Sequence, residues 1–155
     1  MVNNVFFFLK YKNDVRFFYD TLTLEEGLKL MKEHGFTAVP VINIKGEYLG
    51  SVSEGDFLWF ILKNGQDENT LKTTLIGDLL REDFMPAVSI DLPVEELYNR
   101  SLHQNYVPVV DDRNIFIGIV TRQKILDTLL QNMAALPDLE GLVSSQTAQG
   151  QYLRP

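Results

Sequence analysis

Two short stretches of this chain place a hydroxyl three residues ahead of a charged side chain, each where a β-branched run gives way to a helical pattern. The first is Ser53-Glu54-Gly55-Asp56 and the second is Thr121-Arg122-Gln123-Lys124. A carboxylate in a first helical turn can accept hydrogen bonds from both hydroxyls of a ribose. The free amides beside it suit an anionic phosphate. The same Ser-x-x-Asp spacing is also a plain helix cap, with the acid near the positive end of the helix dipole. Taken alone, Ser53 and Asp56 favour the cap. Lys124 cannot accept hydroxyl protons at all; it suits a phosphate, or it is a solvated lysine at a helix start.

The remaining candidates for chemistry are weaker. His34 and His103 are the only histidines, and each follows a helical pattern, where a cation complements the dipole. No third ligand accompanies them, so no metal site is expected. Glu25-Glu26 and Glu95-Glu96 fall in first helical turns, as solvent and dipole features. No Gly-x-Gly-x-x-Gly, Gly-x-x-x-x-Gly-Lys, Gly-x-Ser-x-Gly or His-Glu-x-x-His occurs. With no nucleophile beside a plausible base, the chain reads as a non-enzyme with no catalytic residue and no catalytic cofactor.

Charge excludes another class. The 155 residues carry 14 Lys and Arg against 21 Asp and Glu, a formal charge of −7, which argues against a binder of nucleic-acid backbone. There is no cysteine, which removes disulfides and thiolate zinc sites. The apolar runs Val5 to Leu9 and Phe57 to Leu62 are far shorter than the roughly 20 residues of a membrane span. No signal-peptide pattern opens the chain. A cytoplasmic protein that touches no membrane is expected.

The elements that must carry Ser53 and Thr121 come in two copies. Val39-Pro40-Val41 returns as Val107-Pro108-Val109, Gly50 as Gly118 and Ser53 as Thr121, all at an offset of 68. A fixed offset across proline, glycine and hydroxyl means duplicated units. In the first unit Thr23 and Glu26 form a capping box, Leu24, Leu28 and Met31 share a helix face, and Gly35 ends it. Thr37 to Ile42 and Tyr48 to Val52 are strands about a Lys45-Gly46 turn. A second helix bears Phe57, Leu58, Phe60 and Ile61 and stops at Asn64-Gly65.

The second unit starts a helix at Asp91 and Pro93, with Val94, Leu97 and Tyr98 inward. Strands Val107 to Val110 and Ile115 to Val120 follow, then a helix with Ile125, Leu126 and Leu129. Leu24 and Val94 are 70 apart, so the second unit has lost two residues before its strand. Extended lead-ins, Val15 to Tyr19 and Ala87 to Ile90, precede the units, and the two sheets should pack on each other. Gln66 to Thr74 reads as a polar, turn-rich linker. The organisation expected is repeat one over 14–64, repeat two over 75–132, and a flexible tail over 133–155.

The succession of apolar-Pro-Val, then Gly-x-Val-Ser/Thr-x-x-Asp, resembles the cystathionine-β-synthase (CBS) repeat. It is carried by Gly35 to Val41 with Gly50 to Asp56, and by Asn105 to Val109 with Gly118 to Lys124. The resemblance covers about Val15 to Leu130, and the Phe-rich opening is similar to small stand-alone bacterial proteins of this type. It implies an α+β fold of two β-α-β-β-α repeats with pseudo-two-fold symmetry, a Bateman module, with sheets packed together and helices outside.

The resemblance also implies two clefts. One would join Ser53 and Asp56 to Pro86, Ala87, Asn105, Tyr106 and Val107, with Arg122 and Lys124 in reach of phosphates. A second, weaker one would join Thr121 to Arg16, Thr37, Ala38 and Val39. The implied ligand is an adenine nucleotide: AMP, ADP, ATP, cyclic di-AMP or S-adenosylmethionine. The implied role is regulatory, sensing that ligand and signalling to an unidentified protein partner from a homodimer. A ligand-free interaction scaffold is the alternative, and a nucleotide-processing enzyme ranks third. The His-Arg pair that some such repeats carry before the strand is replaced here by Thr37-Ala38 and Asn105-Tyr106, which disfavours tight triphosphate binding.

Overall fold

A computed structural model describes residues 4–136. After a single 3-10 turn at Val5–Phe7, strand β1 (Lys10–Tyr11) precedes a second such turn at Lys12–Asp14. Repeat one follows as β2 (Phe18–Tyr19), α1 (Leu24–His34), β3 (Ala38–Ile42), β4 (Tyr48–Ser53) and α2 (Glu54–Asn64). A short helix α3 (Glu68–Thr73) and a 3-10 turn at Ile76–Leu79 lead to repeat two: β5 (Val88–Ser89), α4 (Val94–Ser101), β6 (Tyr106–Val110), β7 (Phe116–Thr121) and α5 (Arg122–Ala134).

Local chemistry accounts for most of these boundaries. The Glu26 amide donates to Thr23 Oγ1 (3.3 Å) and the Thr23 amide donates to Glu26 Oε2 (3.0 Å), closing the expected capping box. Those bonds from Thr23 hold the Glu26 carboxyl below its usual range. Helix α1 ends where Gly35 turns left-handed (φ 64°) and its amide returns to the Met31 carbonyl. Helix α2 ends at Gly65, bonded to the Ile61 carbonyl.

The duplication extends to individual hydrogen-bond registers. Ala38 lies opposite Ser53 as Tyr106 lies opposite Thr121, and Val41 opposite Gly50 as Val109 opposite Gly118. Both hairpins then slip at the next residue, between Val41 and Ile42 and between Val109 and Val110. The lead-in strands pair in parallel, Phe18 with Val41 and Val88 with Val109. Their spacing is 70 where the hairpins' is 68, so the two missing residues fall between lead-in and strand. The first helix absorbs the loss: α1 has 11 residues and α4 has 8.

Two sheets result, β2-β3-β4 and β1-β7-β6-β5. They meet as expected: the Tyr48 amide donates to the Asn114 carbonyl (3.0 Å) and the Phe116 amide to that of Gly46 (2.9 Å). Ile42, Tyr48, Val110 and Phe116 form the buried cluster there. A second core in repeat one holds Phe18, Leu24, Met31, Val39, Val41, Val52 and Phe57, with Ile76 and Leu79 from beyond α3. Each such side chain stabilises the fold by about 1.5–3 kcal/mol. The chain divides into two units, residues up to 122 and from 123 onward. In the second unit, Ile125 and Thr128 are the buried positions of α5. No helix among the described residues is long and apolar enough to cross a membrane.

The structure departs from the sequence expectations in four places. The supposed turn-rich linker contains α3, started by Asp67, whose carboxylate accepts from the Thr70 amide (3.0 Å). With Leu71 its only large apolar residue, that helix has no periodicity to read. At α4 the cap position is Pro93 without a side-chain cap bond, and Asp91 lies in the preceding turn, where its amide donates to Ser89 Oγ (3.3 Å). The third departure is β1, which extends the sheet of repeat two along β7 although it precedes repeat one. Lastly, α5 runs to Ala134, past the expected tail boundary at 133; the rest of that tail from 137 lies outside the described residues.

The equivalent bulge glycines meet different neighbours. A Cβ at Gly118 (φ 158°) would collide with the backbone carbonyl oxygen of Lys10 in β1, whereas one at Gly50 (φ 153°) would meet a Leu80 methyl at 3.2 Å. A leucine tip can move and a strand carbonyl cannot without the strand. Gly118→Ala should therefore cost on the order of 2–3 kcal/mol and Gly50→Ala about half that. Urea midpoints of the two variants check this; equal losses would contradict it.

Candidate functional site

Ser53 ends β4 and caps α2, and Asp56 is the third residue of that helix. Their side chains interlock. The Ser53 amide (2.7 Å) and hydroxyl (2.8 Å) both donate to Asp56 Oδ2, and the Asp56 amide donates back to Ser53 Oγ (3.4 Å). The capping reading is therefore present in full. A further group completes the site: Arg81, from the segment that leads into repeat two. Its Nε lies 2.6 Å from Asp56 Oδ1 and its Nη2 3.3 Å from Oδ2, a two-pronged ion pair. The Asp56 side chain is 6% exposed and that of Arg81 51% exposed. The guanidinium also lies over the Phe84 ring, 3.7 Å from its centroid.

The same segment is anchored a second time, four residues on. Tyr106 Oη donates to Ser51 Oγ (2.7 Å), Ser51 Oγ and Tyr48 Oη share a bond (2.9 Å), and Tyr48 Oη donates to the Met85 carbonyl (2.7 Å). Tyr48 spends its one proton on that carbonyl, so the serine hydroxyl must donate to Tyr48. All protons run one way, from β6 through β4 to the linker. Met85 is held at φ 52° immediately before Pro86, and Asp83 at φ 57°. That region disfavours side chains other than glycine, and a following proline disfavours most conformations but the extended one. Beside this strained stretch is a cavity of about 460 Å³ whose lining includes Phe84, Pro86, Arg100, His103 and Gln104.

The profile described as "CBS domain" matches this chain twice, at residues 11–63 and 76–131. The chain belongs to the CBS domain family. Its fold is that of solved CBS proteins. CbpB in complex with c-di-AMP superposes with a TM-score of 0.79 at 24% identity, covering 84% of this chain and 87% of that one. CBSX2 in complex with AMP gives 0.69 at 24% identity, covering 84% and 98%. The chain spans 22% and 48% of the length of two curated archaeal relatives it matches. One is the homoserine O-acetyltransferase of Methanococcus vannielii, 24% identical over 72% of this chain and 22% of that enzyme.

Within the CBS pair, the residues expected beside Ser53 and Asp56 fall as follows. Pro86 follows the carbonyl that Tyr48 holds and lines the cavity, and Ala87 packs against the cluster between the sheets. The Asn105 carbonyl accepts the Arg122 amide (2.9 Å) and the Tyr106 carbonyl accepts Gln104 Nε2 (3.4 Å), so the backbone acceptors offered to a base already have partners. Val107 and Val39 are core residues. Arg122 Nε donates to the Ser101 carbonyl (2.7 Å), which directs this arginine to the end of α4.

Of the second set, Thr121 ends β7 opposite Tyr106, Ala38 lies opposite Ser53, and Thr37 and Arg16 are exposed. Lys124 is exposed in the first turn of α5, its carbonyl accepting from Thr128 Oγ1 (2.9 Å). His34 closes α1 and stacks on Phe36 (5.3 Å). Arg81, Phe84 and Ser51 went unmarked in the sequence. Arg81 lies outside both repeat motifs, and Ser51 faces the phenols only because the strands pair as they do.

The two buried phenols have a measurable signature. Burial, opposed by the bond to Ser51, pushes both hydroxyls above their ordinary value of 10.0, and Tyr48 raises Tyr106 further. Above pH 10 the unfolded chain ionises these groups while the folded chain keeps them protonated. The folded state then binds more protons, so stability falls as pH rises beyond about 10. Each tyrosine contributes a limiting slope of about 1.4 kcal/mol per pH unit. Tyr106→Phe should remove about half of the pair's slope in urea titrations between pH 9 and 11; an unchanged slope would contradict the buried chain.

Proposed function

We propose that this CBS pair is a regulatory module that binds an adenine nucleotide at Ser53 and Asp56 and presents a changed surface to a protein partner. The observation that carries the reading is a nearly buried carboxylate at a helix start, paired with a half-exposed arginine. A ribose diol matches the acid, and a phosphate matches the helix amides and the cation. Similar folds support it, since one such protein is solved with c-di-AMP and another with AMP. Pro86, Ala87, Asn105, Tyr106 and Val107 are the proposed surroundings of the base, and Arg122 and Lys124 additional phosphate partners. Arg16, Thr37, Ala38, Val39 and Thr121 make the weaker second cleft.

The module acts without catalysis, as a cytoplasmic homodimer. Leu58, Trp59 and Leu62 on α2 are exposed and give repeat one an apolar helix face for that dimer. A second reading, a ligand-free scaffold, is favoured by the internal pairing of the cleft, where Asp56 and the Asn105 and Tyr106 carbonyls have partners within the chain.

Thermal-shift measurements with AMP, ADP, ATP, cyclic di-AMP and S-adenosylmethionine separate the two. A ligand at one hundred times its Kd stabilises the folded state by about 2.7 kcal/mol, a shift of several degrees for a chain of this size. Asp56→Ala should abolish that shift. No response to any of the five, or a shift that survives Asp56→Ala, leaves the scaffold.

A further inference from the structure

Asp56 has little acceptor capacity to spare. Each carboxylate oxygen offers about two lone-pair sites; the Ser53 amide, the Ser53 hydroxyl and Arg81 Nη2 crowd Oδ2, and Arg81 Nε takes one of the two sites on Oδ1. The Ser53 bonds are part of the cap and persist as long as α2 starts where it does. The Arg81 bonds come from a chain segment 25 residues away and from a side chain that is half in solvent. Oδ1 is the one oxygen with a site open, and a pair of diol hydroxyls needs both of its sites, so the diol can bind Asp56 only by replacing Arg81 there. Once replaced, the guanidinium cannot go far, since its backbone is followed within four residues by the Met85 carbonyl that Tyr48 holds. It is left as a cation beside the first turn of α2.

We propose that Arg81 is the specificity-determining residue of this cleft: it pairs with Asp56 until ribose hydroxyls take its place, and is then handed to the ligand's phosphate. The proposal rests on the nucleotide reading of Ser53 and Asp56. It assigns one side chain two successive partners of the same chemistry, a carboxylate and then a phosphate. A nucleoside without phosphate must break the pair and offers nothing in return. A nucleotide returns an anion for the one it displaces. The cleft is thereby selective for phosphate-bearing ligands, and the Phe84 ring beneath the guanidinium gives it a platform in either position.

The test is calorimetric titration of the full chain and of Arg81→Gln with adenosine, AMP and cyclic di-AMP. In the wild type, AMP or cyclic di-AMP should bind at least tenfold more tightly than adenosine. In Arg81→Gln, adenosine should bind several-fold more tightly than it does to the wild type, because its competitor is gone. The preference for the phosphate-bearing ligand should shrink to threefold or less. Arg81→Lys, which keeps the charge and loses the fork, should retain an intermediate preference and controls for damage to the fold. An unchanged ratio in Arg81→Gln, or adenosine binding weaker than wild type, overturns the role given to Arg81 and leaves the cleft itself standing. No binding of any of the three to either protein overturns the nucleotide reading, and this proposal with it.

Discussion

Tyr106 of β6, Ser51 and Tyr48 of β4, and the carbonyl of Met85 share three hydrogen bonds in the space between the sheets, which tie three segments to one another. A buried hydroxyl that lacks a partner costs about 1–3 kcal/mol. The chain can therefore be kept only if β4, β6 and the approach to β5 hold one mutual position. Among the described residues no buried side-chain nitrogen or oxygen is left without a partner. The requirement also explains the backbone. Met85 stays left-handed ahead of a proline, at a cost of order 1–3 kcal/mol, because its carbonyl must meet Tyr48.

Pseudo-symmetry would allow a second such chain, and the sequence replaces every hydroxyl of it. At an offset of 68, Tyr106 corresponds to Ala38, Ser51 to Ile119 and Tyr48 to Phe116; at the lead-in offset of 70, Met85 corresponds to Val15. One side of the inter-sheet space is thus a line of hydroxyls, and its counterpart is aliphatic and aromatic, with Val15 and Ile119 packed on Phe116's cluster. The asymmetry visible in the sequence as Asp56 against Lys124 is therefore deeper than two helix starts. It reaches the segment ahead of β5, where the polar chain ends on the Met85 carbonyl.

What was legible in the sequence follows from how local each signal is. Prolines, bulge glycines and caps act on their own strand or helix, so the repeat, its order and even the two-residue deletion could be read from spacing. Strand β1 is two residues long and α3 six, too short for any periodicity, and their positions are set by partners far along the chain. Ser53 and Asp56 could be read because the cap they form is local to one helix start. Arg81 could not, because nothing near it in sequence says that residues 81 and 56 meet.

The two anchors of the linker differ in kind, and that difference decides which of them a ligand can exchange. The Tyr48 bond is buried, uncharged and continuous with the sheets, so removing it exposes strain and leaves a polar group unpaired. The Arg81 pair joins a nearly buried acid to a half-exposed base, so water and soluble anions reach one side of it. A bound molecule moves an equilibrium only by the difference between its affinities for the two states. A ligand that merely filled space beside the linker would leave its position unchanged. One that takes Asp56 for itself and supplies Arg81 with a new anion acts on the exchangeable anchor alone, while the hydroxyl chain keeps the far end of the segment fixed. The stretch between them is short, carries the left-handed Asp83, and lies ahead of β5, where a change in its path bears on that strand.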